Sequence, residues 1–273
     1  MTQSIWIRPL FISLIMMLNS TYIQADQTTL SSIINDVHRS EVNKARDKYR
    51  HPEQTLDFFG INSTMTVIEI WPGKGWYTEI LAPMTQYEGH FIAAGFPLNA
   101  GPEWRQSMQR DYQKWLANSP HYYDRVNIVE LGPPSFWSLG EDESADAVLT
   151  FRNVHNWLKG GYDSKMFAAF YQVLKPGGVL GVTDHRARPN TDLDTMKKSG
   201  YLSQDLVIIL AQKAGFILEA TSEINANSAD DKDHAKGVWT LPPTLRLGEQ
   251  DREHYLAIGE SDRMTLRFRK PKK

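Results

Sequence analysis

Val67-Ile68-Glu69-Ile70-Trp71-Pro72-Gly73-Lys74-Gly75-Trp76-Tyr77 reads as a buried strand, a tight glycine turn and the start of a helix. Val67, Ile68 and Ile70 are apolar and β-branched, as a strand covered on both faces requires. Glu69 sits inside that run, where a charge is costly unless something pairs with it. Gly73 and Gly75 permit positive φ or the close approach of a ligand or backbone. A strand, glycine turn and helix with an acid at the strand end is where an open α/β sheet binds a nucleotide-like ligand.

The rest of the chain alternates in the same way. Strands are expected at Thr66–Ile70, His90–Gly95, Val126–Leu131, Ala145–Phe151, Val179–Asp184, Phe216–Ser222 and Met264–Arg269. Helices are expected at Trp76–Met84, within Pro97–Tyr122, at Ser164–Leu174 and at Leu202–Ala214. So regular a βα series predicts a doubly wound, mostly parallel seven-stranded α/β sheet of the Rossmann-like kind. A polar helix is expected over Thr28–Arg50, its dense charges forming a solvated face. The basic stretch Arg267–Lys273 is expected to be an edge strand with a solvated end.

Composition bounds the function. The 273 residues are 41% hydrophobic and 23% charged with net charge −2, which describes a globular chain without a broad basic surface for nucleic acid. There is no cysteine, so disulfides, thiolate metal sites and cysteine nucleophiles are excluded. Arg8 is the only charged side chain before Asp26, and the apolar run Pro9–Leu18 leads to Ile23-Gln24-Ala25. This is the pattern of a secretory signal over residues 1–25. It predicts a periplasmic or secreted protein with no stable membrane insertion after cleavage. Residues 26–60 then form a helical extension and residues 61–273 one α/β domain.

Three segments together carry a resemblance. Glu69-Ile70-Trp71-Pro72-Gly73-Lys74-Gly75 resembles the first motif of class I S-adenosylmethionine-dependent methyltransferases. Ser144–Trp157 resembles their fourth-strand motif, and Leu174-Lys175-Pro176-Gly177-Gly178 their turn before the fifth strand. Over Arg50–Arg263 the chain is similar to a family of exported bacterial proteins described as predicted methyltransferases. The resemblance implies S-adenosylmethionine as cofactor and methyl transfer to a small-molecule acceptor. It implies cofactor contacts from Glu69, Trp71, Pro72, Gly73, Gly75 and Gly95, and from Phe151, Arg152 and Asn153. His155, just past the fourth strand, is the candidate general base. No metal ligand set is expected in the site.

The sequence also departs from that family. Trp71 replaces the first glycine of the motif. The second strand ends Ala94-Gly95-Phe96, without the acid that binds the ribose hydroxyls. Leu131-Gly132-Pro133-Pro134-Ser135 follows the third strand, with no side chain suited to the adenine amino group. An alternative is a non-catalytic ligand-binding protein on a degenerate methyltransferase scaffold, with Trp71 or Phe96 filling the cofactor cleft. A third reading places a metal at Asp184-His185, against a strand-end salt-bridge cluster. Asp230–His234 is expected to be a solvated acidic loop, and Gly259–Arg263 a turn held by an acid–arginine pair that could close over the site. The nicotinamide fingerprint fails at Thr78, the ATP loop fails at Gly75, and no nucleophile elbow is present.

Overall fold

A computed structural model describes residue 1 and residues 29–272. The expected signal sequence, Met1 apart, lies outside the described residues. The strands are β1 (Thr66–Ile70), β2 (His90–Gly95), β3 (Asn127–Glu130), β4 (Ala145–Phe151), β5 (Leu174–His185), β6 (Ile217–Ser222) and β7 (Arg263–Arg269). They form one sheet in the order β3-β2-β1-β4-β5-β7-β6. Only β7 runs antiparallel to its neighbours. The chain leaves β1 toward β2 on one side and returns to β4 on the other. This reversal of strand order opens a crevice at the carboxyl ends of β1 and β4.

The alternation within β1 sorts the core. Ile68 and Ile70 face α8 (Val154–Gly160), α9 (Asp163–Val173) and α11 (Gln204–Lys213), where Trp157, Phe167, Phe170 and Val207 are buried. Val67 faces α4 (Pro52–Phe59), α5 (Thr78–Thr85) and α6 (Glu103–Ala117), through Leu56, Phe59, Ile80, Leu81 and Tyr112. Both faces of the sheet are therefore covered, which is why the parallel strands are apolar at nearly every position. Short helices complete the fold: α1 (Leu30–Asn35), α2 (Glu41–Lys44), α3 (Asp47–Arg50), α7 (Pro120–Tyr123), α10 (Leu193–Ser199) and α12 (Arg252–Ile258). Ser203 caps α11, its hydroxyl accepting from the Leu206 N–H at 3.3 Å. Ser203→Ala is expected to cost ~1 kcal/mol, read from a urea unfolding curve.

Three expectations are corrected. The polar helix over Thr28–Arg50 is instead α1, α2 and α3, because buried charges break it. Arg39, 1% exposed, turns inward to the Ile34 carbonyl at 2.8 Å and to Asp47 at 2.7 Å. Ile33 and Ile34 are buried, but Val37 and Val42 are exposed. The last strand is not an edge: β7 lies between β5 and β6, with Met264, Leu266 and Phe268 in the core. Its alternate residues Arg267 and Arg269 are held by Glu219 of β6. Finally, β5 begins at Leu174, so the Lys175–Gly178 turn is an irregularity within a strand and not a separate lead-in.

Candidate functional site

A cleft of about 610 Å³ opens at the carboxyl ends of β1 and β4, within the usual volume of a small-molecule site. Glu69, Trp71, Pro72 and Gly73 line one wall, and Phe151, Arg152, Asn153 and His155 the other. Gly75 and Gly95 do not line it. A Cβ on Gly75 would meet the Trp115 ring at 2.6 Å, and one on Gly95 the Gln109 Oε1 at 2.1 Å. These two glycines admit protein side chains behind the loops, while Gly73 alone faces the cleft with open space. A smaller cavity of about 410 Å³, beside Gly89 and His90, lies at the amino end of the sheet, away from this chemistry.

Two residues on the cleft hold left-handed backbone without being glycine: Trp71 (φ 50) after β1 and Arg152 (φ 64) after β4. Each costs about 1–2 kcal/mol, so each must be held by other contacts. The Trp71 N–H donates to the Ala94 carbonyl at 2.7 Å and its indole Nε1 to the Leu131 carbonyl at 2.9 Å. The Arg152 N–H donates to the Thr183 carbonyl at 2.7 Å. Asn153 ties the two strand ends together, its side-chain amide donating to the Ile70 carbonyl at 2.8 Å. The backbone is thus strained where both β1 and β4 meet the cleft, and both points are fastened.

Glu69 is 3% exposed, and the Thr78 hydroxyl donates to its carboxylate at 2.8 Å. Burial pushes its pKa up to about 8, against the opposing pull of Thr78 and of the Arg50 charge. A predominantly neutral acid thus stands beneath the glycine turn at neutral pH. Across the cleft, His155 Nδ1 lies 3.1 Å from Asp184 Oδ1. Asp184 is fully buried and also accepts the Val154 N–H at 2.7 Å and the His185 N–H at 2.8 Å. That carboxylate fixes the proton on Nδ1, which leaves Nε2 of His155 as the open base. His185 hydrogen-bonds Ser261 through Nδ1. Burial, then the charges of His155, Arg152, Arg263 and Arg50, push its pKa well below the usual value, so it is neutral. Arg186 turns away from this group to Asp262 at 2.9 Å and Glu223 at 2.7 Å. Asp184-His185-Arg186 is therefore split, the first two joining the site and the third bracing the loop behind it.

The feature that sequence reasoning missed is a cluster of arginines. Glu260, 3% exposed, takes ion pairs from Arg46 at 2.7 Å, Arg50 at 3.1 Å and Arg263 at 3.2 Å. Burial opposes its charge, but Arg50, Arg263, Arg152 and Arg46 outweigh burial and hold its pKa at about 2. Gly259–Arg263 thus folds against the cleft, onto helices of the N-terminal extension that supply Arg46 and Arg50. Arg50-His51-Pro52 stood in the resemblance but read as the end of a solvated helix. Asp230 also corrects an expectation. It is 1% exposed and accepts from the Tyr201 hydroxyl at 2.9 Å, the Asp262 N–H at 2.8 Å and His234. Only Asp231 and Asp233 of that loop are exposed.

No protein-family model and no curated protein matches the sequence. Solved structures do. A SAM dependent methyltransferase from Aquifex aeolicus is 18% identical, with a TM-score of 0.54 over 72% of this chain and 93% of that one. The (4+2)-cyclase SpnF is 14% identical, with a TM-score of 0.56 over 82% of this chain and 81% of that one. This chain has the class I methyltransferase fold. The crevice between β1 and β4 holds seven of the nine residues that the resemblance implies for the cofactor, along with His155.

The departures from the family also acquire a shape. The Trp71 indole spans the ends of β2 and β3, packing on Phe96 with ring centres 4.6 Å apart. Arg105 lies over it, 4.7 Å from the ring centre. In the class I methyltransferase pattern, this region beyond the strand 2 acid belongs to the nucleoside. Here an indole with its own hydrogen bond fills the space at the ends of β2 and β3.

Proposed function

We propose that the protein binds S-adenosylmethionine in the cleft over Glu69–Gly73 and transfers its methyl group to a small-molecule acceptor. The observation that carries this reading is the convergence of a glycine turn, a buried acid and an Asp184-supported His155 on one crevice of this fold. The cofactor's amino-acid end suits the residues present. Gly73 permits close approach and Glu69 offers a partner to a cation. The nucleoside end has no acid on β2, and its base would have to lie against Trp71 and Phe96. We also propose export; residues 1–25 support it.

When bound, the cofactor supplies an electrophilic methyl group. The protein's own contribution is orientation, from fixed strand ends and a cleft shaped by Trp76, Tyr77 and Phe151. His155 lines the same cleft, and its Nε2 can take the proton that the acceptor loses, while Asp184 stabilises the resulting imidazolium. His155→Gln is expected to leave cofactor affinity unchanged and to slow turnover about a hundredfold. Calorimetry paired with the release of demethylated cofactor from a small-molecule extract checks both halves.

Trp71 favours a second reading, a scaffold that binds another ligand in place of the cofactor. The two readings part on one titration. Saturable binding of S-adenosylmethionine at or below roughly millimolar concentration supports the enzyme, and its absence leaves the binding protein.

A further inference from the structure

The charge of the cleft does not balance. Arg46, Arg152 and Arg263 all act on Arg50, and all four arginines act on Glu260. Asp184 also acts on Arg152, but its oxygens are already engaged by His155, His185 and Val154. Glu69 is too buried to stay charged at neutral pH. Four guanidinium groups therefore meet two carboxylates.

The excess is also visible as unused hydrogen-bond donors. Arg46 Nη2, Arg50 Nη2 and Arg263 Nε are sequestered without a partner. Arg50 is 2% exposed. Arg152 makes no ion pair or side-chain hydrogen bond among the described residues. It lines the cleft beside His155, and its strained backbone is fastened to β5. A cation held under strain, half-buried and unpartnered, is a receptor for an anion. The same imbalance argues against a metal at His155, Asp184 and His185, whose ligand atoms lie within 4.8 Å of one another. A divalent cation there would add charge to a region already positive.

We infer that the acceptor is an oxyanion, a carboxylate or phosphate ester, seated on Arg152 with its nucleophile toward His155. This rests on the methyl-transfer reading and adds the acceptor's class to it. An anionic acceptor also supplies the counter-charge that a cationic methyl donor lacks among these arginines.

The test uses the chain from residue 26 onward, with sodium phosphate and sodium acetate as probes. Each is titrated in the presence of saturating S-adenosylmethionine, at constant ionic strength set with sodium chloride. Binding is read by calorimetry and by tryptophan fluorescence, since Trp76 lies under Arg50 and Trp239 beside His155. Wild type is expected to bind one or both probes. Arg152→Gln and Arg152→Asn, the latter tolerant of left-handed backbone, are expected to weaken them roughly tenfold, compared at a cofactor concentration that saturates each protein. Arg188→Gln, on an exposed loop outside the cleft, is expected to change neither. Acetate binding alone marks a carboxylate acceptor, and phosphate binding alone a phosphate ester.

The inference is overturned if the probes compete with the cofactor, since the charge would then serve the cofactor's own carboxylate. It is overturned equally if the folded Arg152 variants bind the probes as wild type does, or if wild type binds neither. Melting curves establish folding. Should both variants unfold, a wild-type melting temperature raised by phosphate or acetate and not by chloride supports the inference, and no such rise overturns it. If S-adenosylmethionine fails to bind while probe binding still depends on Arg152, the anion site stands and the methyl-transfer reading falls.

Discussion

Glu260→Gln is expected to lower the folding free energy by about 3–5 kcal/mol, the cost of removing one partner from a buried ionic group. The carboxylate is 3% exposed and meets Arg46, Arg50 and Arg263 within 3.2 Å. Glutamine keeps the shape and one acceptor but leaves those charges facing one another. The wild-type pH dependence gives an independent check. The pKa of Glu260 falls from 4.5 to about 2 on folding. A depressed carboxylate contributes stability that is fully present above about pH 4.5 and is lost as pH falls through about 2, worth about 3 kcal/mol at about 1.4 kcal/mol per unit. Urea unfolding across that window should show a loss in wild type larger than in the variant by about 3 kcal/mol. Glu103, paired with Arg110 on the exposed face of α6, is the contrast. Glu103→Gln is expected to change stability by about 0.5 kcal/mol or less.

Glu69→Gln is expected to stabilise the protein, in the opposite sense. Burial raises the Glu69 pKa from 4.5 to about 8, so the folded state holds a proton that the unfolded chain has lost. Stability therefore falls as pH rises from about 4.5 to about 8, where the folded state must accept a desolvated charge. A neutral glutamine can still accept from Thr78 and carries no such cost. At about pH 9 the variant should exceed wild type by on the order of 3 kcal/mol, and its stability should decline less steeply than that of wild type over the same range. Equal slopes for the two proteins would contradict this account of Glu69.

These two acids also show how far the sequence could be read. The parallel strands were legible because burial on both faces leaves a local mark, as in Val67–Ile70 and Ala145–Phe151. The glycine turn was legible for the same reason, and the first wall of the cleft with it. The arginine cluster was not legible. Arg46 and Glu260 lie 214 positions apart, and nothing near either residue signals that the charge is buried. Arg39 misled in the same way, since its partners Asp47 and Glu79 are brought to it by the fold. The last strand was misplaced because its neighbours β5 and β6 are set by topology. Its alternation of Met264, Leu266 and Phe268 with arginines fits an edge or an interior antiparallel strand equally. Trp71 was recognised as a departure, but where its indole lies depended on the Leu131 carbonyl and Phe96.

The central claim joins the buried acid under the glycine turn to a cationic ligand above it. If the ammonium or sulfonium of S-adenosylmethionine is seated there, it must draw Glu69 into its charged form. Calorimetric titration of the cofactor at about pH 7, in buffers of different ionisation enthalpy, measures the protons released on binding. The account predicts saturable binding with release of nearly one proton in wild type. It predicts none in Glu69→Gln, with an affinity that rises with pH toward about 8 in wild type alone. Binding with equal proton release in both proteins, or no binding at roughly millimolar cofactor, would contradict it.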